Sequence, residues 1–216
     1  MKRFLAFLVC TLLWAASANA QTCTGGVPFG TARFQVGGDG AFSSNSHSFF
    51  AGAGAGNATY WGRAGVQFTG FSQSDSSAKG VIGSAGAEYP VDSQKRVYVC
   101  PMVTVFHLWG PNYDISTSSS TVFSLGGGVG FVAANTGQAT IVPTFGLRFD
   151  HISSSSDFTE PFAITYSAST SYGDATFGAG IILNDRMAII PLILVPFHYA
   201  QGETVFSVLF AAKIGQ

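Results

Sequence analysis

The sequence predicts an all-β protein: a closed, antiparallel, up-and-down barrel of about eight to ten strands, with ten favoured, that crosses a membrane with its strands. Three observations lead to this prediction. Apolar residues alternate with small or polar ones, charged residues are scarce, and no segment beyond the N-terminus is long and apolar enough to be a spanning helix. A closed barrel is the architecture in which strands leave no backbone group unpaired in lipid.

The alternation is clearest in residues 123–152. From position 140 to 150, the odd positions carry Ile, Pro, Phe, Leu and Phe, whereas the even positions carry Thr, Val, Thr, Gly, Arg and Asp. A period of two belongs to a strand with unlike faces, and only Val142 and Pro143 disturb it. Residues 135–137 have the composition of a tight turn. The stretch is therefore predicted to be a hairpin with one lipid-facing side.

Residues 1–20 are predicted to be a cleaved secretory signal peptide. Lys2 and Arg3 form a basic start, an apolar run follows, and Ala-Asn-Ala at 18–20 supplies small residues where a signal peptidase cuts. The apolar run is shorter than the roughly 20 residues of a spanning helix. The barrel domain is then 21–216, with 8 Lys plus Arg (10 less Lys2 and Arg3), 11 Asp plus Glu and a formal charge of −3.

Composition argues against an ordinary soluble surface. Charged residues make up 10% of the chain and the mean hydropathy is +0.32, whereas soluble domains average about 25% charged residues. The chain also lacks the basic stripe of a nucleic-acid-binding protein. Its glycines precede turns and strands rather than a helix, which argues against a phosphate cradle. We expect no nucleic-acid partner and no cofactor.

The chain divides into ten candidate strands joined by alternating short and long connections. Longer connections are expected at 72–78, 110–119 and 153–171, as in barrels with short periplasmic turns and longer external loops. The Ser-rich runs 116–120 and 153–156 are predicted to be mobile external loops. Eight strands remain the alternative. The candidate strands lie near residues 30–38, 47–56, 59–71, 79–90, 97–109, 120–133, 139–151, 172–183, 187–199 and 204–214.

Three of the predicted strands carry a proline a few residues after a short turn: Pro101, Pro143 and Pro191. Proline removes a donor from the strand ladder and normally lies at a strand start, a bulge or an edge. The recurrence predicts a shared bulge or strand start near the periplasmic rim.

These features together resemble a known superfamily. The signal peptide, the Gly-rich arms at 51–54 and 126–128, the turn-then-proline arms and the aromatic-rich ends at 106–109 and 197–199 resemble small outer-membrane β-barrel proteins of diderm bacteria. The resemblance implies residence in the outer membrane, contact with its lipids and insertion by the barrel insertion machinery. The chain departs from the pattern at its end, where Gly215-Gln216 replaces the usual terminal aromatic residue.

Four charged residues fall on the predicted lumen faces of their strands: Arg63, Glu88, Arg148 and Asp150. The interior of a small barrel is narrow and filled mainly by side chains. Charges there are costly unless they are paired, so we expect a salt-bridge network that closes the pore. The alternative is that these groups line or gate a narrow passage for small solutes.

Two cysteines, Cys23 and Cys100, remain after removal of the signal peptide. In an oxidising compartment two cysteines predict a disulfide. The bond would fasten the N-terminal segment to the barrel mouth; two separate buried thiols are the alternative.

The stretch from Arg148 to Ser153 resembles the Arg-x-x-His-x-Ser segment of lipid A deacylase barrels, in which a lipid-facing His activates a Ser. Here His151 and Ser153 share one strand face near the external rim, as Ser-His catalysis requires. However, Ser154 stands where that family has Asn, and no Glu is clearly placed on the next strand. The reading that we favour is a rim histidine beside a Ser-rich loop.

Other aromatic and histidine residues predict a membrane-interface belt. His107 and Trp109 end one candidate strand, and Phe197 and Tyr199 end another. Aromatic rings with a polar edge concentrate at the boundary between lipid and water. No two histidines have metal-ligand spacing with carboxylates beside them, and we expect no metal site.

The sequence therefore predicts a non-enzymatic outer-membrane barrel, structural or narrow-pore, whose outward-facing loops could contact an external ligand. One alternative is a barrel enzyme that acts through His151 and Ser153. The other is a secreted, soluble β-barrel or β-sandwich binding protein, in which the apolar face would point inward.

Overall fold

A computed structural model describes residues 34–57, 59–72, 76–112, 116–159, 163–197 and 203–214. The predicted signal peptide, Cys23 and Tyr199 lie outside these residues. No helix among the described residues is long and apolar enough to cross a membrane. Ten long strands make up the fold: β1 (Phe34–Phe42), β2 (Ser46–Gly56), β3 (Tyr60–Phe71), β4 (Ser77–Ala87), β5 (Val97–Trp109), β6 (Ser116–Phe131), β7 (Ala139–Phe158), β8 (Ile164–Leu183), β9 (Met187–Phe197) and β10 (Val205–Ile214).

The strands form a closed, antiparallel barrel. Each strand pairs with the next along the chain, and β10 returns to pair with β1, so the sheet has no open side. Phe34 at the start of β1 lies opposite Ile214 at the end of β10. We call this end of the barrel the terminal end and the opposite end the loop end. The ten strands confirm the predicted fold class.

The two faces of the barrel wall are unlike, as the alternation predicts. Leu125 on the outside is 61% exposed, whereas its neighbour Ser124 on the inside is 4% exposed. Among the described strand residues, the outward face carries charge at Lys79 and Asp157 alone. The rest of that face is apolar, small or uncharged polar. Its large exposed side chains include Val66, Phe68, Phe123, Leu147, Phe149, Phe177, Phe206 and Phe210.

An apolar cluster fills the terminal half of the lumen. Its members point inward from β5, from the four neighbouring strands β7 to β10 and from the turn between β6 and β7, and each is less than 9% exposed. Leu194 packs against them from the loop side. The hydrophobic core of this protein is therefore a plug inside the barrel. The plug consists of Tyr98, Val132, Val142, Ile182, Ala188, Ile190, Leu192, Leu209 and Ala211.

Two large aromatic side chains complete the filling on the opposite wall, where glycines make room for them. A Cβ atom added to Gly65 would overlap the ring of Phe50, and one added to Gly86 would overlap the indole of Trp61. Phe50 and Trp61 are 8% and 4% exposed. These glycines are needed for the space they leave beside the two rings.

Each of the three prolines lies where the hydrogen-bonded pairing with one neighbouring strand is interrupted. At Pro191 the pairing of β9 with β8 stops and then resumes in the same register. At Pro101 the pairing of β5 with β4 stops, and β5 then pairs in the same register with the two-residue strand Tyr89–Pro90. At Pro143 the pairing resumes with a shift of one residue, which is a bulge. The predicted common bulge is therefore wrong for two prolines, whose missing N–H groups interrupt the ladder without changing its register.

Strands β7 and β8 are 20 residues long, about twice what a tilted strand needs to cross a membrane. Their outer parts, 151–158 and 164–171, pair with each other past the point where β9 ends, and we call them the β7–β8 ribbon. Residues 116–122 of β6 pair with 152–158 along the other edge of this ribbon. The pairing of β8 with β9 begins only at Gly173. Among the described residues, β9 therefore does not extend along 164–171, and this edge of the ribbon has no strand partner.

The predicted external loops at 116–120 and 153–156 are wrong, because both runs lie inside strands. The predicted connection 153–171 is likewise mostly a hairpin. In β8, both faces of 164–171 contact water, so this part shows none of the alternation that marks the barrel wall. Hydroxyl pairs join β6 to β7 at the other edge of the ribbon: Ser120 with Ser154 at 2.9 Å and Ser118 with Ser156 at 3.1 Å.

Candidate functional site in the barrel lumen

A row of polar side chains runs across the inner wall from β3 to β8. Successive cross-strand partners make up this row, one from each strand: Arg63, Ser84, Thr104, Ser124, Asp150 and Tyr172. The hydroxyls of Ser84 and Thr104 are hydrogen-bonded at 2.9 Å. Residues of one row face the same side of a sheet. Half of the lumen circumference is therefore polar at the level of this row.

The strongest contacts in the lumen centre on Arg148. Its Nη2 lies 2.9 Å from Oδ2 of Asp150 and 2.6 Å from Oδ2 of Asp174, and its Nε donates to Asp150 at 3.0 Å. The two carboxylate side chains are 1% and 7% exposed. Charge-assisted hydrogen bonds of this kind are the strong ones in proteins. The structure thus brings Arg148 and Asp150 together and adds Asp174, which the sequence analysis missed although it occupies a lumen-facing position of a predicted strand.

Arg63 lies across the lumen, with its guanidinium carbon 5.3 Å from the centre of the Phe50 ring. Asp39, also missed from the sequence, is the cross-strand partner of Phe50 and therefore lies on the same wall as Arg63. The prediction ended the first strand at 38, because Gly37, Gly38 and Gly40 conceal the alternation of β1. Glu88 is buried but follows β4 at the terminal end, where its N–H donates to Thr59 at 2.8 Å.

A cavity of about 350 Å³ lies between these charged groups. Asp39 and Arg63 line one wall, and Arg148 and Asp150 line another. Leu192 and Leu209 of the apolar plug form part of its lining. Glu88 is not among the lining residues. The lumen therefore contains a mostly apolar cavity that charged groups line on two sides, next to the apolar plug.

His107 and His151 are on the outside of the barrel. Nδ1 of His151 lies 2.9 Å from the hydroxyl of Ser171 on the next strand, so the structure pairs His151 with Ser171. His107 makes the same kind of contact with Thr121, at 2.8 Å. Within the described part of the chain, no carboxylate is hydrogen-bonded to either ring. The contact of His151 with Ser171 is thus of the same cross-strand kind as that of His107 with Thr121. It lacks the acidic residue that orients the histidine in a catalytic triad.

The predicted belt residues that the structure describes lie at the loop end and face outward. The rings of His107 and Trp109 meet edge to face, with centroids 4.5 Å apart. Trp109 is 44% and Phe197 49% exposed. Aromatic residues at this position, next to the end of the apolar outer face, are expected at a membrane interface.

Cys100 is 1% exposed on the inner wall and is disulfide-bonded. Its predicted partner, Cys23, lies outside the described residues, and the pairing stays a prediction. No group of three or more His, Cys, Asp or Glu side chains is placed to hold a metal ion in the described ranges.

Two carboxylates outside the long strands fasten turns. The N–H groups of Val97 and Arg96 each donate to Oδ1 of Asp92 at 2.7 Å, and they hold the pKa of Asp92 below its ordinary value. At the loop end, hydrogen bonds from Ser44 and Ser43 lower the pKa of Glu203. Glu203 also accepts the N–H of Asn45 at 3.2 Å.

Comparison with known proteins identifies the fold. No protein-family model and no curated protein sequence matches the chain. Among solved structures, the translocator domain of the autotransporter NalP from Neisseria meningitidis is 16% identical, with a TM-score of 0.55 over 85% of this chain and 76% of that one. Ail, the attachment invasion locus protein of Yersinia pestis, is 9% identical, with a TM-score of 0.41 over 84% of this chain and 98% of that one.

The likeness to the NalP domain concerns the fold, which in this chain is a closed, antiparallel β-barrel. The predicted resemblance is thus confirmed for the architecture. This chain has the fold of the small outer-membrane β-barrel proteins.

Proposed function

We propose that this protein is a non-enzymatic outer-membrane barrel with a structural role, whose lumen does not conduct solutes. The observation that carries the proposal is the apolar plug. Its nine buried side chains occupy the terminal half of the lumen, and packed apolar groups exclude water and ions from the space they fill. The ion pairs of Arg148 narrow the passage further on the loop side.

The outward face supports residence in a membrane. Large apolar side chains such as Leu125 and Phe149 are 61% and 57% exposed there, and a soluble barrel or sandwich would turn such a face inward. In this proposal the terminal end lies in the periplasm and the loop end outside the cell. The β7–β8 ribbon then projects outward as an uncharged surface, apart from Asp157, for contact with an external partner.

The enzymatic alternative has one observation in its favour, the 2.9 Å contact between His151 and Ser171. Release of acyl chains from lipid A by the purified barrel would support it, and the variants Ser153→Ala and Ser171→Ala would show which hydroxyl reacts. We propose the non-enzymatic role because His107 makes the same contact with Thr121 elsewhere on the outer face.

Conductance in planar lipid bilayers tests the closed lumen. The wild-type barrel should insert without steady channels. Leu192→Ala combined with Ile190→Ala removes bulk from the plug and should open small, steady channels. Ile193→Ala with Ile189→Ala is the matched control, because these side chains lie on the outward face of the same strand and should leave the lumen closed.

Steady channels from the wild-type barrel would contradict the proposal and favour the narrow-pore alternative. In that case Arg148→Ala should change the ion selectivity, because the charge would line the conducting path. Insertion is checked separately by the heat-dependent shift of the folded barrel on a gel, so that a silent bilayer is not confused with a failure to insert.

A further inference from the structure

The lumen cavity holds two opposite charges that do not neutralise each other directly. Arg63 and Asp39 both line it. Arg63 lies over the ring of Phe50, and Asp39 is the cross-strand partner of Phe50. However, the ion pairs within 4.0 Å in the described part of the chain are those of Arg148 with Asp150 and with Asp174. A positive and a negative group thus face one cavity, with a gap between them and apolar side chains around them.

The Arg63 guanidinium is held in place before any ligand arrives. Its carbon lies 5.3 Å from the centre of the Phe50 ring, a distance at which a cation is attracted to an aromatic face. Phe50 is itself 8% exposed and locked against glycines of β2 and β3. The Nε atom of Arg63 is buried and has no hydrogen-bond partner among the described residues. A fixed cation with spare donors is suited to bind a carboxylate.

The opposite wall sets which ligand fits. Arg148 already binds two carboxylates, so that wall carries a net negative charge and offers no second free cation. It would repel a ligand that is only anionic. A ligand with both charges avoids this penalty, because its cationic group lies near Asp39 and its carboxylate near Arg63.

We infer that the lumen cavity binds a small zwitterion of the amino-acid class, with its carboxylate on Arg63 and its ammonium group on Asp39. The cavity volume of about 350 Å³ accommodates a ligand of this size. Its apolar lining at Leu192 and Leu209 leaves room for a short aliphatic portion. This inference goes beyond the proposed structural role, and it holds whether or not the wild-type barrel conducts.

Calorimetric titration of the detergent-solubilised, full-length barrel tests the inference with three probes of equal chain length. β-Alanine carries both charges, propionate carries only the negative one and propylamine only the positive one. β-Alanine should bind saturably and at least tenfold more tightly than either single-charge probe. Arg63→Met and Asp39→Asn should each weaken β-alanine binding at least tenfold. Lys95→Met, in the turn between β4 and β5, is the matched control and should bind like the wild type.

Ala41→Phe provides a test that leaves both charges in place. Ala41 lines the cavity, and a phenyl ring there should exclude β-alanine while the gel shift of the folded barrel is retained. The inference is overturned if β-alanine binds no better than the single-charge probes, or if folded Ala41→Phe binds it as the wild type does. A conducting wild-type barrel that binds β-alanine would contradict the closed-lumen proposal alone.

Discussion

Strands β7 and β8 pass through two regions that differ in what surrounds them. In the barrel wall, Leu147 and Phe149 are at least half exposed on one face, while Asp150 on the other is 1% exposed. In the β7–β8 ribbon, every residue from Ile164 to Ser171 is exposed. The same antiparallel ladder continues through both regions. Backbone pairing alone therefore does not require unlike faces; burial of one face against a lumen does.

The largest effect should come from the ion-pair centre of the wall. Arg148→Ala leaves the carboxylates of Asp150 and Asp174 buried side by side without their common cation. Breaking a buried ion pair costs about 3 kcal/mol or more, and the midpoint of urea unfolding in detergent should fall accordingly. Arg186→Ala in the turn between β8 and β9 is the control. An unchanged midpoint for Arg148→Ala would mean that the wall does not depend on its lumen charges.

Overpacking the lumen should have the next largest effect. Gly65→Val places methyl groups where the Phe50 ring and the backbone of β2 lie, and overpacking of this kind costs about 1–3 kcal/mol. Gly83→Val is the matched control, because nothing lies within 4 Å of a Cβ added there. Thermal unfolding followed by the gel shift should separate the two valine variants. Equal melting of both would show that the lumen is loosely packed.

Hydroxyl pairs allow a direct comparison of wall and ribbon. Ser84 and Thr104 are hydrogen-bonded at 2.9 Å in the buried wall, and Ser120 and Ser154 at the same distance where the ribbon begins. Thr104→Val leaves a buried hydroxyl without its partner and should cost about 1–3 kcal/mol. Ser154→Ala leaves a hydroxyl that water can reach, and the unfolding free energy should change by less than about 0.5 kcal/mol. If the two variants cost the same, the ribbon is not solvated as described.

The smallest effect concerns a turn outside both regions. The lowered pKa of Asp92 means that its carboxylate stabilises the turn fully above the pKa it has in the unfolded chain. This contribution is lost as the pH falls through the lower, folded-state pKa. Wild type should therefore exceed Asp92→Ala in stability at pH 7, and the difference should vanish in strong acid. If the stability difference between wild type and Asp92→Ala instead grows as the pH falls, the pKa of Asp92 is not lowered in the folded protein.

The sequence predicted the wall well because each of its strands has one face toward the lumen and one toward the outside. It failed for the ribbon because both faces of 164–171 contact water, and the Ser-rich composition then looks like a loop. In the lumen, the sequence identified Arg148 and Asp150 because they occupy even positions of a strand whose odd positions are apolar. Asp39 was missed because the glycines around it carry no side-chain pattern, and the place of Arg63 over Phe50 depends on curvature that only the closed barrel supplies.

The seam between β1 and β10 has a consequence for how the barrel is made. It joins Phe34 to Ile214, residues separated by 180 positions (214 less 34). The first strand therefore lacks one of its two neighbours until the last strand is in place. Until then two strand edges stay open, which lipid does not tolerate. Contacts this distant in sequence form late and slowly. A chain cut short before residue 205 therefore cannot close the barrel, and β1 and β9 each keep one open edge.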